Sequence, residues 1–297
     1  TIHLVLRTPE VYAARGNALN DLGRPARVDL SSAVNNDPTN PLFHVYLGDF
    51  HSGLSEFDAA LKELDQAISL DPRFALAYSA RGLLYRRMGQ YQRALQDLDK
   101  AIELDPTGGD GIDYVTRSGI YLNLGEYQQV IQDADKAIEL DPSLAMAYNN
   151  RGYAYVSLGQ DQRGLLDLDK AIELDPRLAM AYVNRSLVYI NLGEHQRAIQ
   201  DTDKAIELDP SLAMAYVNRS AAYLNLGQYQ RAIQDADKAI ELDPSIAIAY
   251  VNRSGAYSNL GQYQRAIQDA DKAIELDSSL AMAYVNRSAA YLNLGQY

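Results

Sequence analysis

The sequence predicts an all-α solenoid of antiparallel helix hairpins, and two observations carry that prediction. The first is a period of 34 residues: Tyr114, Tyr148, Tyr182, Tyr216, Tyr250 and Tyr284 stand 34 apart, and Leu-Asp-Pro recurs at Pro106, Pro142, Pro176, Pro210 and Pro244. A fixed period of this length marks stacked supersecondary units rather than a single globular core. The second is the pattern inside each period, where two helical stretches are divided by a glycine and closed by Asp-Pro. Residues 213–246 show it. Tyr216, Ser220, Tyr223 and Leu226 fall on one helical face. Gly227 then accepts the left-handed conformation that ends a helix. Ala232, Ile233, Ala236, Ala239 and Ile240 share the face of a second helix, and Asp243-Pro244 stops it because the residue before proline is pushed out of the α region.

In chain order, the units are an N-terminal remnant at 1–8 and a degenerate first repeat at 9–40, then repeats at 41–74, 75–110, 111–144, 145–178, 179–212, 213–246 and 247–280, and a final first helix at 281–297. The step from Tyr78 to Tyr114 is 36, so the third repeat carries two extra residues, in the loop Thr107–Gly111. The late copies are nearly uniform: 212–245 and 246–279 differ at five positions, and 280–297 repeats 212–229 without a change, as recent duplication would leave them.

Composition narrows the function. Net charge is −12 with a pI of about 4.8, which argues against the basic footprint of nucleic-acid or anionic-membrane binding. There is no cysteine, so disulfides, thiolate metal sites and cysteine nucleophiles are excluded. No apolar run is long enough to span a membrane, and no secretory signal is visible. The expected compartment is the cytoplasm, with secretion the alternative. The chain begins at Thr1, so a piece of a longer protein is expected.

The pattern resembles the tetratricopeptide repeat. With the closing proline as slot 32, aromatics fill slots 4, 11 and 17 (Tyr216, Tyr223, Tyr229), small residues fill slots 8, 20 and 27 (Ser220, Ala232, Ala239), and Gly227 is slot 15. The departures are Tyr for the usual Trp at slot 4, Arg for the usual Leu at slot 7, and Ser278 in place of Pro. The resemblance covers nearly the whole chain after residue 8. It implies a right-handed superhelix and a non-enzymatic scaffold that binds another protein or peptide, with no cofactor.

Few residues offer chemistry. His44 and His51 sit seven apart on one helix, a rise of roughly 10 Å, too far to share an ion, and they stand in aromatic slots. Gly108-Gly109-Asp110-Gly111-Ile112-Asp113 matches a calcium-binding nonapeptide once, without the stacked copies that site needs, and reads as a lengthened surface loop. The Asp-Lys-Ala-Ile-Glu-Leu-Asp runs read as a solvated outer face.

Slots 7 and 23 lie symmetrically about the slot-15 turn, so antiparallel helices place them at one height. The pairs Arg81/Asp97, Arg117/Asp133, Arg151/Asp167, Arg185/Asp201, Arg219/Asp235 and Arg253/Asp269 are expected to be structural ion pairs. At Leu47, which lacks the arginine, the partner is Glu63.

The resemblance further implies that first helices line a concave groove, with slots 2, 5, 6, 9, 12 and 13 facing it. Slot 6 holds Asn150, Asn184, Asn218, Asn252 and Asn286; slot 13 holds Asn123, Asn191, Asn225, Asn259 and Asn293. Two rows of amides are expected to bond the backbone of an extended peptide, because an amide both donates and accepts. Only Arg86 and Arg87 bring positive charge to this groove. Asn184, Asn218, Asn252 and Asn286 also open Asn-Arg-Ser glycosylation sequons. A different expectation comes from the last helix, whose Ala289, Tyr291 and Leu294 would be exposed: end-to-end self-association into a filament, possible in an extracellular, glycosylated protein.

Overall fold

The computed structural model describes residues 30–295, and fifteen helices lie within Pro41–Asn293, with no strand among the described residues. The remnant at 1–8, most of the repeat at 9–40, and residues 296–297 lie outside them. The chain divides into two compact units, Thr1–Ser143 and Leu144–Tyr297.

The first unit contains α1 (Pro41–Gly53), α2 (Phe57–Leu70), α3 (Ala75–Arg87), α4 (Tyr91–Leu104), α5 (Ile112–Leu124) and α6 (Tyr127–Leu140). Asn40 caps α1, its side chain accepting from the Leu42 amide at 3.1 Å, and Pro41 occupies the first turn, where its missing N–H costs nothing. The pairs α1–α2, α3–α4 and α5–α6 form hairpins, and α2 and α4 each pack on the following first helix. His44 and His51 are buried and satisfied within the unit: His44 bonds Glu63 at 2.7 Å and the Pro38 carbonyl at 3.0 Å, and His51 bonds Glu56 at 2.6 Å. Glu63, which has no arginine opposite, is thus engaged by His44.

The extra loop has an unusual backbone. Gly108, Gly109, Asp110 and Gly111 all have positive φ, at 52°, 57°, 59° and 94°. Three glycines make four consecutive left-handed residues affordable, since only glycine visits that region without a steric penalty. Asp113, at the start of α5, has its amide bonded to the Gly108 carbonyl of the loop, but its carboxylate reaches α3. Its buried carboxylate accepts from the Ser79 hydroxyl, and burial pushes its pKa up against that bond.

The second unit contains α7 (Ala145–Ser157), α8 (Asp161–Leu174), α9 (Ala179–Asn191), α10 (His195–Leu208), α11 (Ala213–Asn225), α12 (Tyr229–Leu242), α13 (Ala247–Asn259), α14 (Tyr263–Leu276) and α15 (Ala281–Asn293). Four hairpins and α15 stack in sequence. Gly227, with φ of 72°, ends α11, and the Gln228 amide turns back to the Tyr223 carbonyl at 2.8 Å, which satisfies a terminal acceptor.

Apolar clusters in this unit form between hairpins as well as within them. Tyr216 and Val217 of α11 pack with Ala239 of α12 and Ala249 of α13, and the same cluster recurs one repeat later around Tyr250 and Val251. Tyr182, Tyr216, Tyr250 and Tyr284 at slot 4 also use their hydroxyls: Tyr216 donates to the Pro210 carbonyl at 3.3 Å, and Tyr284 to the Ser278 carbonyl at 3.2 Å. Tyrosine therefore ties the inter-repeat turn through a backbone acceptor, which explains why Ser278 can replace proline without altering the turn.

Size complementarity governs the closest approach within a hairpin. Where slot 8 is glycine (Gly48, Gly82, Gly152), slot 24 is leucine (Leu64, Leu98, Leu168), and a Cβ on those glycines would lie 2.8–2.9 Å from the leucine Cγ. Where slot 8 is serine, as at Ser186, Ser220 and Ser254, slot 24 is Thr202, Ala236 and Ala270. Close-packed interiors accept one bulky partner at such a contact, not two.

Candidate protein-interaction surface

The two faces of each unit differ in packing. Successive first helices touch one another: α1 with α3 and α3 with α5 in the first unit, and α7, α9, α11, α13 and α15 in series in the second. No comparable packing joins successive second helices among the described residues. The first helices therefore form the tighter side of each unit, and their outward stripe is its inner face.

The expected ion pairs are present as geometry. In Arg81–Asp97, Arg117–Asp133, Arg151–Asp167, Arg185–Asp201, Arg219–Asp235 and Arg253–Asp269, the arginine Nε and Nη2 donate to both carboxylate oxygens at 2.6–2.8 Å. A second set of partners was not anticipated. Nη1 of Arg81, Arg117, Arg185, Arg219, Arg253 and Arg287 donates to Asp65, Asp99, Asp169, Asp203, Asp237 and Asp271 at 2.6–2.7 Å. These acids occupy slot 25 of the preceding hairpin, so one arginine joins two hairpins. The guanidinium fork suits this division of labour, and it also lies over the slot-4 ring, 5.6 Å from the Tyr216 centroid for Arg219. The bond to Asp235 holds the Arg219 pKa above its ordinary value against burial, with Asp203 contributing. Asp99, Asp169, Asp203, Asp237 and Asp271, each the first aspartate of an Asp-Lys-Ala-Ile-Glu-Leu-Asp run, are thus inter-hairpin ligands, which corrects the reading of those runs as purely solvated. The lysine does face solvent, as Lys238 does in its i,i+3 pair with Glu241. The sequence signal was the regular Asp-x-Asp at slots 23 and 25.

The two asparagine rows behave differently. Slot 6 is not displayed. Asn150, Asn184, Asn218 and Asn252 are buried, Asn218 at 5% exposure. The amides of Asn184, Asn218 and Asn252 are spent on the preceding hairpin: Nδ2 of Asn218 donates to the Val183 carbonyl at 3.1 Å and to the Ser186 hydroxyl at 3.0 Å, and Asn252 donates to the Val217 carbonyl at 3.1 Å. Asn286 repeats the bond to Val251 at 3.0 Å, and Asn184 donates to Asn149 at 2.9 Å. The cause is the tight contact between first helices, which draws slot 6 into the seam, where a slot-5 carbonyl accepts a further bond beside the one it takes within its own helix. The row therefore acts as a set of staples and is not an exposed ladder, and the Nδ2 atoms that would carry a glycan on Asn184, Asn218 and Asn252 are buried in the folded chain.

Slot 13 is displayed. Asn123, Asn191, Asn225, Asn259 and Asn293 are exposed. Nδ2 of Asn123, Asn225, Asn259 and Asn293 donates to the carbonyl four residues back at 2.8–3.0 Å, and Asn191 donates to Asp161 at 3.1 Å. Their amide oxygens point to no partner in these bonds. At the other end of the same stripe, slot 2 is exposed and apolar: Met146, Met180, Met214 (41%) and Ile248. Slot 5 between them is buried, as at Val183, Val217 and Val251. In the second unit, the accessible inner face is a row of flexible thioethers beside a row of amides. Among the described residues no cluster of three or more acidic or histidine side chains could hold a metal, and no helix is long and apolar enough to cross a membrane.

Profiles of the tetratricopeptide repeat match residues 54–89, 75–107, 114–144, 145–178, 179–212, 213–246 and 236–268. A comparison with curated protein sequences returns no match. Among solved structures, the chain is similar to the Cut9–Hcn1 hetero-tetramer of the APC/C, with a TM-score of 0.77 and 18% identity over 96% of this chain. It spans 56% of that chain's length. It is also similar to a tetratricopeptide repeat protein from Parabacteroides merdae, with a TM-score of 0.63 and 19% identity over 84% of this chain and 98% of that one. A third similar structure is a thermophilic tetratricopeptide repeat protein of Thermus thermophilus, with a TM-score of 0.52 and 23% identity over 61% of this chain and 98% of that one.

Proposed function

The chain belongs to the tetratricopeptide-repeat family, whose repeats build protein–protein interaction scaffolds, and from that premise we propose that it is a non-enzymatic scaffold whose second unit binds a segment of another protein on its inner face. The observation that carries this reading is the displayed stripe of slots 2 and 13. Exposed Met180, Met214 and Ile248 form an apolar row, and Asn191, Asn225 and Asn259 run beside it. Methionine adapts its shape to varied apolar partners, and the adjacent amides can hydrogen-bond a backbone without reading its side chains. Rows that repeat at hairpin spacing suit a segment that crosses several hairpins. Both structural rows lie beneath this surface, so binding leaves the staples and arginine ties in place.

The test is selection of peptides from a display library against the full chain, followed by affinity measurement on variants. Substituting Met180, Met214 and Ile248 together by Ser removes three apolar anchors and is expected to weaken binding at least tenfold. Substituting Lys204, Lys238 and Lys272 by Ala on the outer face leaves it within about twofold. Equal losses from the two triples would place the contact elsewhere.

A further inference from the structure

Every partly buried arginine among the described residues, except Arg86, is bonded to a carboxylate. Arg86 lies on α3 in the first unit at slot 12, a position that Leu122, Ile190 and Leu224 fill with apolar side chains in other repeats. No hydrogen bond or ion pair to Arg86 occurs within the described residues. Burial draws its pKa below the ordinary arginine value and the adjacent Arg87 adds to that pull, while Tyr91 alone opposes them. Arg87 is exposed and donates only to a neutral group, the Ser52 hydroxyl, at 2.9 Å. Both sit in the last turn of α3, where the helix dipole favours a cation, but a dipole leaves most of the guanidinium donors without an acceptor. Leu83, one turn earlier on the same face, is exposed.

A partly desolvated guanidinium without a counter-ion is a cost that leucine at this slot would avoid. We infer that Arg86 and Arg87 receive a carboxylate from an acidic segment of a partner protein, with an aliphatic neighbour of that carboxylate resting on Leu83. The class of ligand follows from the donors. A guanidinium fork bonds a carboxylate bidentately, and every other partly buried arginine among the described residues is paired with a carboxylate. The molecule is otherwise strongly acidic, with a net charge of −12, so an acidic segment is attracted at this place rather than over the surface at large. The inference rests on the scaffold reading but uses none of the second unit's stripe, so either can fail without the other.

The experiment uses the full chain and a fluorescein-labelled peptide of alternating Glu and Leu, compared with the same peptide carrying Gln, by fluorescence anisotropy at low and high salt. The Glu peptide is expected to bind at least tenfold tighter, with the difference shrinking as salt rises. Arg86→Leu should reduce Glu-peptide affinity to that of the Gln peptide and raise the melting temperature by about 2–4 °C, since it replaces an unpaired cation with the residue used elsewhere. Arg86→Lys should retain part of the preference, and the triple Ser variant of Met180, Met214 and Ile248 should retain all of it. Equal binding of the two peptides would overturn the inference. So would a lower melting temperature for Arg86→Leu, which would make Arg86 a structural cation. Displacement by inorganic phosphate as effectively as by unlabelled Glu peptide would assign the site to a free anion and overturn the polypeptide partner.

Discussion

Helices α11 and α15 have the same thirteen residues, Ala-Met-Ala-Tyr-Val-Asn-Arg-Ser-Ala-Ala-Tyr-Leu-Asn, yet they bury different things. Val217 of α11 is 3% exposed and Val285 of α15 is 57%; Tyr216 is 8% exposed and Tyr284 is 39%. The local sequence is held constant, so the difference belongs to the neighbours. In α11, Ala239 of the following helix and Ala249 of the next hairpin close over Tyr216 and Val217. No such elements follow α15 among the described residues. A hairpin's apolar side chains are thus buried by the hairpin after it, and its polar anchors reach toward the hairpin before it. That asymmetry sorts the expected effects of paired substitutions at equivalent slots.

The largest difference is expected at slot 7. Arg219 grips Asp235 ahead of it in the chain and Asp203 behind it, whereas Arg287 holds only Asp271 behind it among the described residues. Arg219→Leu leaves Asp235, whose side chain is 9% exposed, without its cation and should cost about 3 kcal/mol. Arg287→Leu removes a tie to Asp271, half exposed, and should cost at most about 1 kcal/mol. Urea midpoints of the two variants measure the gap; equal costs would remove the ion pair from any part in hairpin registry.

At slot 5 the difference is expected to be smaller. Val217→Ala removes two buried methyl groups and should cost about 2 kcal/mol, and Val285→Ala should fall within about 0.5 kcal/mol of neutral. Hydrogen exchange of the amides in α12 and α13 would show whether the cost stays at the contact between those hairpins, as nearest-neighbour stacking requires.

Acid response tests a buried carboxylate of the first unit. Asp113 is buried with its pKa raised, chiefly by burial. Its folded state therefore binds a proton more readily than the unfolded chain, so this group's contribution to stability declines as pH rises from the ordinary carboxylate value to its own raised value. Asp113→Asn keeps an acceptor for Ser79 and removes the buried charge. It should raise the melting temperature at neutral pH and lose that advantage in acid. A pH-independent effect would mean that the carboxylate is not the cause.

Much of this arrangement was legible in the sequence because it is decided inside one hairpin. Spacing and Asp-Pro gave the helix limits, and symmetry about Gly227 placed Arg219 opposite Asp235. What was not legible lies between hairpins. Helical periodicity says which side chains share a face, but not how far the next helix comes in over them. Slots 6 and 13 share a stripe, yet Asn218 sinks into the seam between first helices and Asn225 stays in solvent. In the same way Asp203 read as a surface charge because its partner, Arg219, belongs to the following repeat. Arg86 was visible as a groove cation, but that it lacks a counter-ion follows only from the packed structure.

The smallest difference is expected at slot 6, and it is the most discriminating. Asn218 and Asn286 both donate backward, to the Val183 carbonyl at 3.1 Å and the Val251 carbonyl at 3.0 Å. Neither bond involves a following hairpin, so both exist whether or not one is present. Replacing either asparagine by alanine removes a bond across the seam, at about 0.5–1.5 kcal/mol, which outweighs the few tenths that alanine adds in helix propensity. The two costs should agree within about 0.5 kcal/mol, with Asn218 the larger because it is more buried and also bonds Ser186. Exposed Asn225→Ala, whose bond stays within its own helix turn, should be neutral. If Asn286→Ala were neutral while Asn218→Ala was costly, burial from the following hairpin would be what makes the staple matter, and the backward reach of the polar anchors would not be the rule. If both were neutral, the slot-6 amides would be free for a ligand after all, and peptide affinity of the Asn184, Asn218 and Asn252 triple Ala variant would decide whether they bind one.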